Sequence, residues 1–452
     1  MKKHLLSALI GLSFAGQAAA DNLKQVYELA LLNDPTYLRA AANVDINKET
    51  ARQALGDLLP QLSLSSSYNR NESESAFKFD TNSPFVLNER TSKSLTHRIS
   101  LEQPLFRWDL WKALKIGNKQ EAQAITDFEL SKQDLLFRVA NSYFDVLRQK
   151  DAAEFSKAEL KAVERQLEQT KQRYQVGLTA ITDVHEAQSQ YDNAVARDIQ
   201  ANVDLINAKE TLREITGQFH QELDVLNTDK FSTSKPQPEG ADAWQTQAEE
   251  RSLQLRSRRM GMEIAREQIG QAQAGHMPTL SLSGSYSKTK DKGEGATLTG
   301  EIIDPYPDYT DSNSVGITLS VPLYLGGNVS SRVRQAEASY VAASEDMHLA
   351  HRSVVRNTRS AYNNVVASIS SIKALEQSVV SAGSALQSTE AGFEVGTRTI
   401  VDVLNGTRDL YNAKRNLANA RYNYIINVLS LKQAAGVLSP QDLDDINAGL
   451  AN

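Results

Sequence analysis

Leu59-Pro60-Gln61-Leu62-Ser63-Leu64-Ser65-Ser66-Ser67-Tyr68 returns further along the chain as Met277-Pro278-Thr279-Leu280-Ser281-Leu282-Ser283-Gly284-Ser285-Tyr286, an offset of 218 positions (278 − 60). Ile99-Ser100-Leu101-Glu102-Gln103-Pro104-Leu105-Phe106 repeats at the same offset as Ile317-Thr318-Leu319-Ser320-Val321-Pro322-Leu323-Tyr324. Val176-Gly177, Ile181, Asp183-Val184 and Asn193-Ala194 then match Val395-Gly396, Ile400, Asp402-Val403 and Asn412-Ala413, now 219 positions on (396 − 177). Gly217 and Gly436 close the two copies at that spacing. Register kept over four blocks with one slipped residue is the mark of a tandem duplication.

Each copy reads helix, strand, long loop, strand, very long helix, tight turn, helix. The strands alternate as a half-buried sheet does. Leu62 and Leu64 oppose Ser63, Ser65 and Ser67; Val315, Ile317, Leu319 and Val321 oppose Ser314, Thr318 and Ser320. Leu95, Ile99 and Leu101 continue the pattern, interrupted by His97, and polar loops are expected over Asn69–Ser94 and Ser287–Asn313. If the apolar face meets lipid, the sheet must close into a barrel, and the smallest common barrel has roughly eight strands. Four strands per chain therefore imply an oligomer: two chains would supply eight strands, three would supply twelve.

Helix length points to a tunnel wall. Trp108 to Tyr174 holds one glycine, Gly117, and no proline; roughly Val329 to Phe393 repeats this with Gly383 and Gly392. About 65 residues at 1.5 Å each make a rod on the order of 100 Å. Leu136, Ala140, Tyr143 and Leu147, then Leu160, Val163 and Leu167, step by three or four as a coiled-coil seam does. Shorter helices are expected near Asn22–Leu58 and Thr179–Thr216. Pro104 and Pro322 stand where strand hands over to helix.

The amino terminus has the layout of a secretory signal peptide. Lys2 and Lys3 precede an apolar run from Leu5 to Ala15, and Ala18-Ala19-Ala20 supplies a small-residue cleavage site before Asp21. Removing the leader takes the two lysines with it, moving the formal net charge from −6 to −8 and arguing against a nucleic-acid partner. The chain has no cysteine, so disulfides and a thioether lipid anchor are both ruled out. The expected organisation is a leader over residues 1–20, a first repeat over 21–217, a connector over 218–240 containing Lys235-Pro236-Gln237-Pro238, a second repeat over 241–436 and a short tail over 437–452. Connector and tail are expected to lie together as an equatorial girdle. The fold class is a mixed α+β membrane protein: a long α-helical coiled-coil barrel joined to a transmembrane β-barrel.

Several segments resemble the TolC family of outer-membrane efflux and secretion ducts. They are Ala265 to Ile269, Gly275-His276-Met277-Pro278-Thr279-Leu280, His351 to Val355, Val395-Gly396-Thr397-Arg398-Thr399-Ile400-Val401-Asp402-Val403-Leu404 and Tyr411-Asn412-Ala413-Lys414. The resemblance implies a homotrimer with a twelve-stranded barrel in outer-membrane lipid and a twelve-helix periplasmic tunnel. It also implies a hexameric periplasmic adaptor and, through it, an inner-membrane pump or ABC secretion translocator. The function implied is a passive exit duct for drugs, small molecules or proteins. A surface-displayed barrel receptor or structural protein on a periplasmic stalk is the alternative.

The turns hold the candidate residues. Val176-Gly177 and Val395-Gly396 join descending to returning helices, where glycine supplies the left-handed C-terminal conformation; the resemblance makes these turns the adaptor contacts. Asp183 and Asp402 each follow their glycine by six residues, at helix N-termini that favour a carboxylate by about 0.3–1 kcal/mol. If Asp402 faces a threefold axis, three carboxylates form a cation-attracting entrance ring. Asn405 stands where relatives carry a second aspartate, which makes that ring position neutral. Arg398 has an uncharged counterpart, Thr179, so duplication did not require it. By resemblance it reaches Thr182 and Asp183 on the neighbouring coil as an entrance latch, with Phe393 in place of a tyrosine hydroxyl.

Nothing reads as an enzyme, a metal centre or a cofactor site. Of seven histidines only His348 and His351 are helically spaced, with no carboxylate or cysteine clearly arranged beside them. Gly293-Glu294-Gly295 is expected in an acidic loop, without the helix a phosphate cradle needs.

Overall fold

The structure is a computed structural model that describes residues 21–78, 80–81, 86–228, 231–296, 302–303 and 309–451. The leader expected over residues 1–20 lies outside them. Two compact units form, and each draws on both copies of the duplication. One comprises residues 21–43, 125–258 and 347–451; the other comprises 44–124 and 259–346. All four crossings between the units fall inside helices: α2 (Pro35–Gly56), α3 (Trp108–Gln175), α6 (Leu253–Gln273) and α7 (Asn328–Glu394).

The second unit carries the sheet. Strands β1 (Gln61–Phe77), β2 (Val86–Phe106), β4 (Thr279–Ala296) and β6 (Thr310–Ser320) pair antiparallel in that order, and a two-residue β5 (Ile302–Ile303) adds to β4. The apolar residues share one face and stand exposed, with Leu62 73%, Leu64 74% and Val315 84% accessible. On the opposite face serine hydroxyls meet across strands, Ser63 with Ser100 and Ser285 with Ser314, each pair at 2.8 Å. The loops expected over Asn69–Ser94 and Ser287–Asn313 are largely strand instead. Pairing continues from Asn69↔Ser94 to Phe77↔Val86, and Gly293-Glu294-Gly295 sits in β4 opposite Ser92, Thr91 and Arg90. Backbone hydrogen bonds extend a ladder whatever its side chains, so a polar composition hid these strands from an apolar-periodicity reading. Among the described residues β1 and β6 each have one unpaired edge.

The first unit is helical. The expected single helix near Asn22–Leu58 is broken into α1 (Leu23–Asn33) and α2. Proline cannot donate a helical hydrogen bond, and Pro35 begins α2 where its missing N–H costs nothing. Asp34 caps the new helix by accepting from the Tyr37 N–H at 2.7 Å, and both its oxygens accept from Arg138 on α3 at 3.0 Å. Burial alone would raise this carboxyl, but the Arg138 and Tyr37 hydrogen bonds outweigh it and hold it below the usual range. The second copy breaks at the equivalent residue, Ser252, between α5 (Ala241–Arg251) and α6. Gly217 (φ +73°) packs on Asn33 and Gly436 (φ +71°) on Arg251, so each copy's last helix ends against its first helix's break. These last helices are α4 (Ile181–Thr216) and α8 (Ile400–Ala434).

The main core of this unit centres on Leu135, Leu136, Val139, Tyr143, Phe144 and Leu147 of α3. Between the copies, β3 (Val225–Leu226) pairs with β7 (Leu450–Ala451), which follows α9 (Pro440–Asn447). Connector and tail thus meet directly. Among the described residues no helix is long and apolar enough to cross a membrane.

Candidate functional site: the paired helical turns

The two turns share one backbone solution. In the first, the Gly177 N–H donates to the Tyr174 carbonyl at 3.0 Å and the Leu178 N–H to the Arg173 carbonyl at 2.8 Å. In the second, Gly396 donates to Phe393 at 3.2 Å and Thr397 to Gly392 at 2.8 Å. This pair of bonds is the Schellman closure, which needs a left-handed residue, and Gly177 and Gly396 lie at φ +77° and +80°. Val176 and Val395 at the tips are 70% and 75% exposed. Beneath them Val163 and Leu167 of α3, Ala187 and Ala194 of α4, and Ile400, Val403 and Leu404 of α8 form a separate apolar cluster, with Phe393 and Leu386 of α7 against it.

The polar groups differ. Thr399 is the N-cap of α8: its hydroxyl accepts from the Asp402 N–H at 3.2 Å, and Asp402 Oδ2 accepts from the Thr399 N–H and hydroxyl, both at 2.9 Å. The Thr399 N–H, then its hydroxyl, and the nearby Arg398 charge together hold the Asp402 carboxyl below the usual carboxylate range. In the first turn the N-cap of α4 is Ala180, which has no side chain to offer. Asp183 instead accepts a hydrogen bond from the Thr179 hydroxyl. Thr182 is exposed, and Asn405 lies half-buried one turn beyond Asp402.

Arg398 folds back over the end of α7, where its N–H donates to the Gly392 carbonyl at 3.2 Å. A Cβ on Gly392 would stand 2.7 Å from Arg398 Cγ, so glycine makes room for that fold. Among the described residues the guanidinium makes no ion pair and no hydrogen bond, and Asp183 is bonded to Thr179. The latch residues stand at neighbouring turns without touching within one chain. Phe393 lacks the hydroxyl, but its ring takes the Arg173 guanidinium over its face, 4.6 Å from the centroid. Both border a cavity of about 400 Å³ with Gln166, Gln169, Glu390 and Val403.

One cluster escaped the sequence reading. Glu159 of α3 is 1% exposed; Arg197 of α4 reaches its Oε1 at 2.7 Å and Arg415 of α8 its Oε2 at 3.1 Å. The signal that singled out Arg398 was available here, because the repeat counterparts of Arg197 and Arg415 are Asn416 and Ala196. His351, expected without a carboxylate nearby, has Glu249 Oε1 at 3.3 Å. Among the described residues no group of three or more His, Cys, Asp or Glu side chains is arranged to hold a metal.

Comparison with known proteins identifies the family. The model of the family described as outer membrane efflux protein matches residues 26–218 and 244–437, one match per copy. Outer membrane protein TolC of Vibrio cholerae serotype O1 is 44% identical over 453 residues, spanning 100% of this chain and 99% of that protein. TolC of Escherichia coli K12 is also 44% identical, over 99% of this chain and 90% of its own length. The alkaline protease secretion protein AprF of Pseudomonas aeruginosa is 28% identical over 96% of this chain and 88% of its own length. Among solved structures, CusC shares the fold at TM-score 0.75 and 16% identity, covering 94% of this chain and 95% of that one. These similar proteins are an outer membrane protein, a protease secretion protein and a transmembrane channel. With both copies matched and the whole length shared at this identity, the chain belongs to the outer membrane efflux protein family, together with TolC.

Proposed function

We propose that this chain is one protomer of a passive outer-membrane exit duct, receiving cargo from an inner-membrane pump or ABC secretion translocator and passing it out of the cell. The observation that carries this reading is the sheet. Four long strands expose an apolar face and, among the described residues, leave two edges unpaired. An open edge in lipid leaves backbone groups without partners, each costing several kcal/mol. The β1 edge of one protomer and the β6 edge of the next satisfy each other, and three protomers close a twelve-stranded barrel. The cross-strand serine pairs then face a wet lumen.

In this assembly the residues 21–217 and 241–436 are the two structural repeats, and the joined connector and tail form a girdle about the helices. The exposed tips at Val176-Gly177 and Val395-Gly396 are offered to a hexameric adaptor. Three Asp402 carboxylates ring the entrance, with Asn405 forming a neutral second ring. Arg398 of one coil meets Thr182 and Asp183 of its neighbour across a chain boundary, which accounts for its lack of a partner within one chain. Phe393 contributes its ring to the same region.

The test is purification in detergent followed by planar-bilayer recording. A trimer with ohmic conductance supports the duct; a stable monomer with a complete barrel, or a trimer that never conducts, sinks it. The second outcome is what the receptor reading requires.

A further inference from the structure

Asp21 is held more firmly than the first residue after a leader needs to be. Its N–H donates to the Glu222 carbonyl at 3.0 Å, and its own carbonyl accepts from the Asp224 N–H at 3.3 Å and from the Tyr143 hydroxyl at 3.3 Å. The two backbone bonds form a parallel bridge between Asp21 and Leu223. The Asp21 carboxylate lies 2.7 Å from His220 Nδ1, and His220, 3% exposed, touches the Thr216 hydroxyl at 3.0 Å through Nε2. Beside them Asp224 is 5% exposed, and among the described residues its carboxylate has neither a hydrogen bond nor an ion pair.

A carboxylate with little contact with solvent, no partner and another carboxylate beside it is poorly satisfied, and such a group is normally paired, hydrogen-bonded or neutralised. Burial, and after it the Asp21 carboxylate, push this acid above its usual range. The other charges facing the site do not relieve it. Glu222 is exposed and paired with Lys150 at 3.3 Å, while Lys209 is bonded to the Gln221 carbonyl at 2.7 Å. His220 is already engaged by Asp21 and Thr216.

We propose that Asp224 is a binding site for a primary α-ammonium, that of Asp21 itself, created when the leader is cut after Ala20. A peptide nitrogen at Asp21 has one hydrogen, which goes to Glu222. An ammonium has three, leaving two for carboxylates and adding a positive charge beside the Asp21–Asp224 pair. Leader removal would thereby fasten the connector beside α1 and α3 in the exported chain, and leave the uncut precursor with an uncompensated acid at that point. The proposal rests on the export reading above and goes beyond it, since nothing about conduction requires the ion pair.

The test uses purified full-length mature protein. Trace labelling with isotopic acetic anhydride across a pH series, read by mass spectrometry of the amino-terminal peptide, gives both the first residue and the pKa of its amine. An ordinary α-amine titrates near 8. The expected result is a chain beginning at Asp21 whose amine titrates about one unit or more above that value, returning toward it in Asp224→Asn. An amino-terminal peptide beginning elsewhere overturns the proposal together with the export boundary. A chain beginning at Asp21 whose amine titrates near 8 overturns the ion pair alone, and this outcome needs no variant to fold. Equal raised values in wild type and Asp224→Asn would place the partner elsewhere and also overturn it.

Discussion

The two turns, 176–183 and 395–402, are copies of one ancestral segment with the same glycine, the same Schellman bonds and an aspartate at the same position. They nevertheless employ that aspartate differently. Asp402 completes a capping box with Thr399, so one of its oxygens is committed to its own helix. Asp183 faces an alanine N-cap and takes the hydroxyl of Thr179 instead. The capping difference follows from the threonine standing at the N-cap, Thr399, in one copy and one residue before it, Thr179, in the other, because the N-cap side chain is the one placed to bond the backbone N–H of N3. The duplication preserved the backbone and left one carboxylate to the helix and the other freer to meet a partner.

The comparison can be broken most severely where the copies are tied together. Glu159 receives an arginine from each, so Arg197→Ala and Arg415→Ala each leave the buried carboxylate with one partner, and losing both arginines leaves it alone. Removing the partners of a buried charge costs about 3–5 kcal/mol. The double variant should approach that loss in chemical denaturation, and Glu159→Gln, which removes the charge itself, should cost less. Equal stability of wild type and the double variant would show that the ion pairs contribute nothing.

The latch comes next in size. If Arg398 meets Asp183 of a neighbouring coil, each charge-assisted hydrogen bond is worth roughly 1.5–3 kcal/mol, and exposure places it at the low end. About 1.4 kcal/mol is a tenfold shift in a closed–open ratio. Arg398→Ser and Asp183→Ala should each raise the conductance of the isolated duct, and the double mutant should add little because both remove one contact. Unchanged conductance in both single mutants would return Arg398 to an ordinary solvated turn charge.

Capping is smaller. Thr399→Ala should destabilise the α8 start by about 1 kcal/mol, measurable as faster amide exchange over Ile400–Leu404. Ala180→Thr should slow exchange at the start of α4. The asymmetry between the turns would be mistaken if the two substitutions had the same sign.

The smallest effect is acid titration of the entrance. Because the folded protein holds Asp402 below its ordinary value, its contribution is present above the unfolded carboxylate pKa and is lost as pH falls through the lower folded one. Cation block of conductance should therefore persist through the ordinary carboxylate range and fade only below it. Asp402→Ala should remove most of the block and Asn405→Ala should leave it nearly unchanged. Block of equal size in wild type and Asp402→Ala would put the carboxylate away from the axis.

Much of the fold was legible because the signals are local. The duplication is written in the order of residues as blocks recurring 218–219 positions apart, while the alternating strands and the unbroken α3 and α7 depend on residues within a few positions of each other, where backbone period dictates side-chain direction. The Thr399-x-x-Asp402 cap is local in the same way, although the sequence reading saw in Asp402 only a carboxylate at a helix N-terminus. The break at Asp34-Pro35 carried a proline signal and a capping residue, and the helical periodicity on either side obscured both. The strands beyond Asn69 and Ser287 were not legible from apolar alternation, since their pairing rests on backbone groups that every residue shares.

The sequence by itself therefore determined the repeat, which is a property of residue order alone, and the class of each element and the two glycine turns, which neighbours along the chain enforce. Only the tertiary structure decided that Glu159 is met by arginines 38 and 256 positions away, and that Asp224 lies beside Asp21. Those facts depend on how helices rotate and approach one another, which the order of residues constrains only through the packing of the whole core.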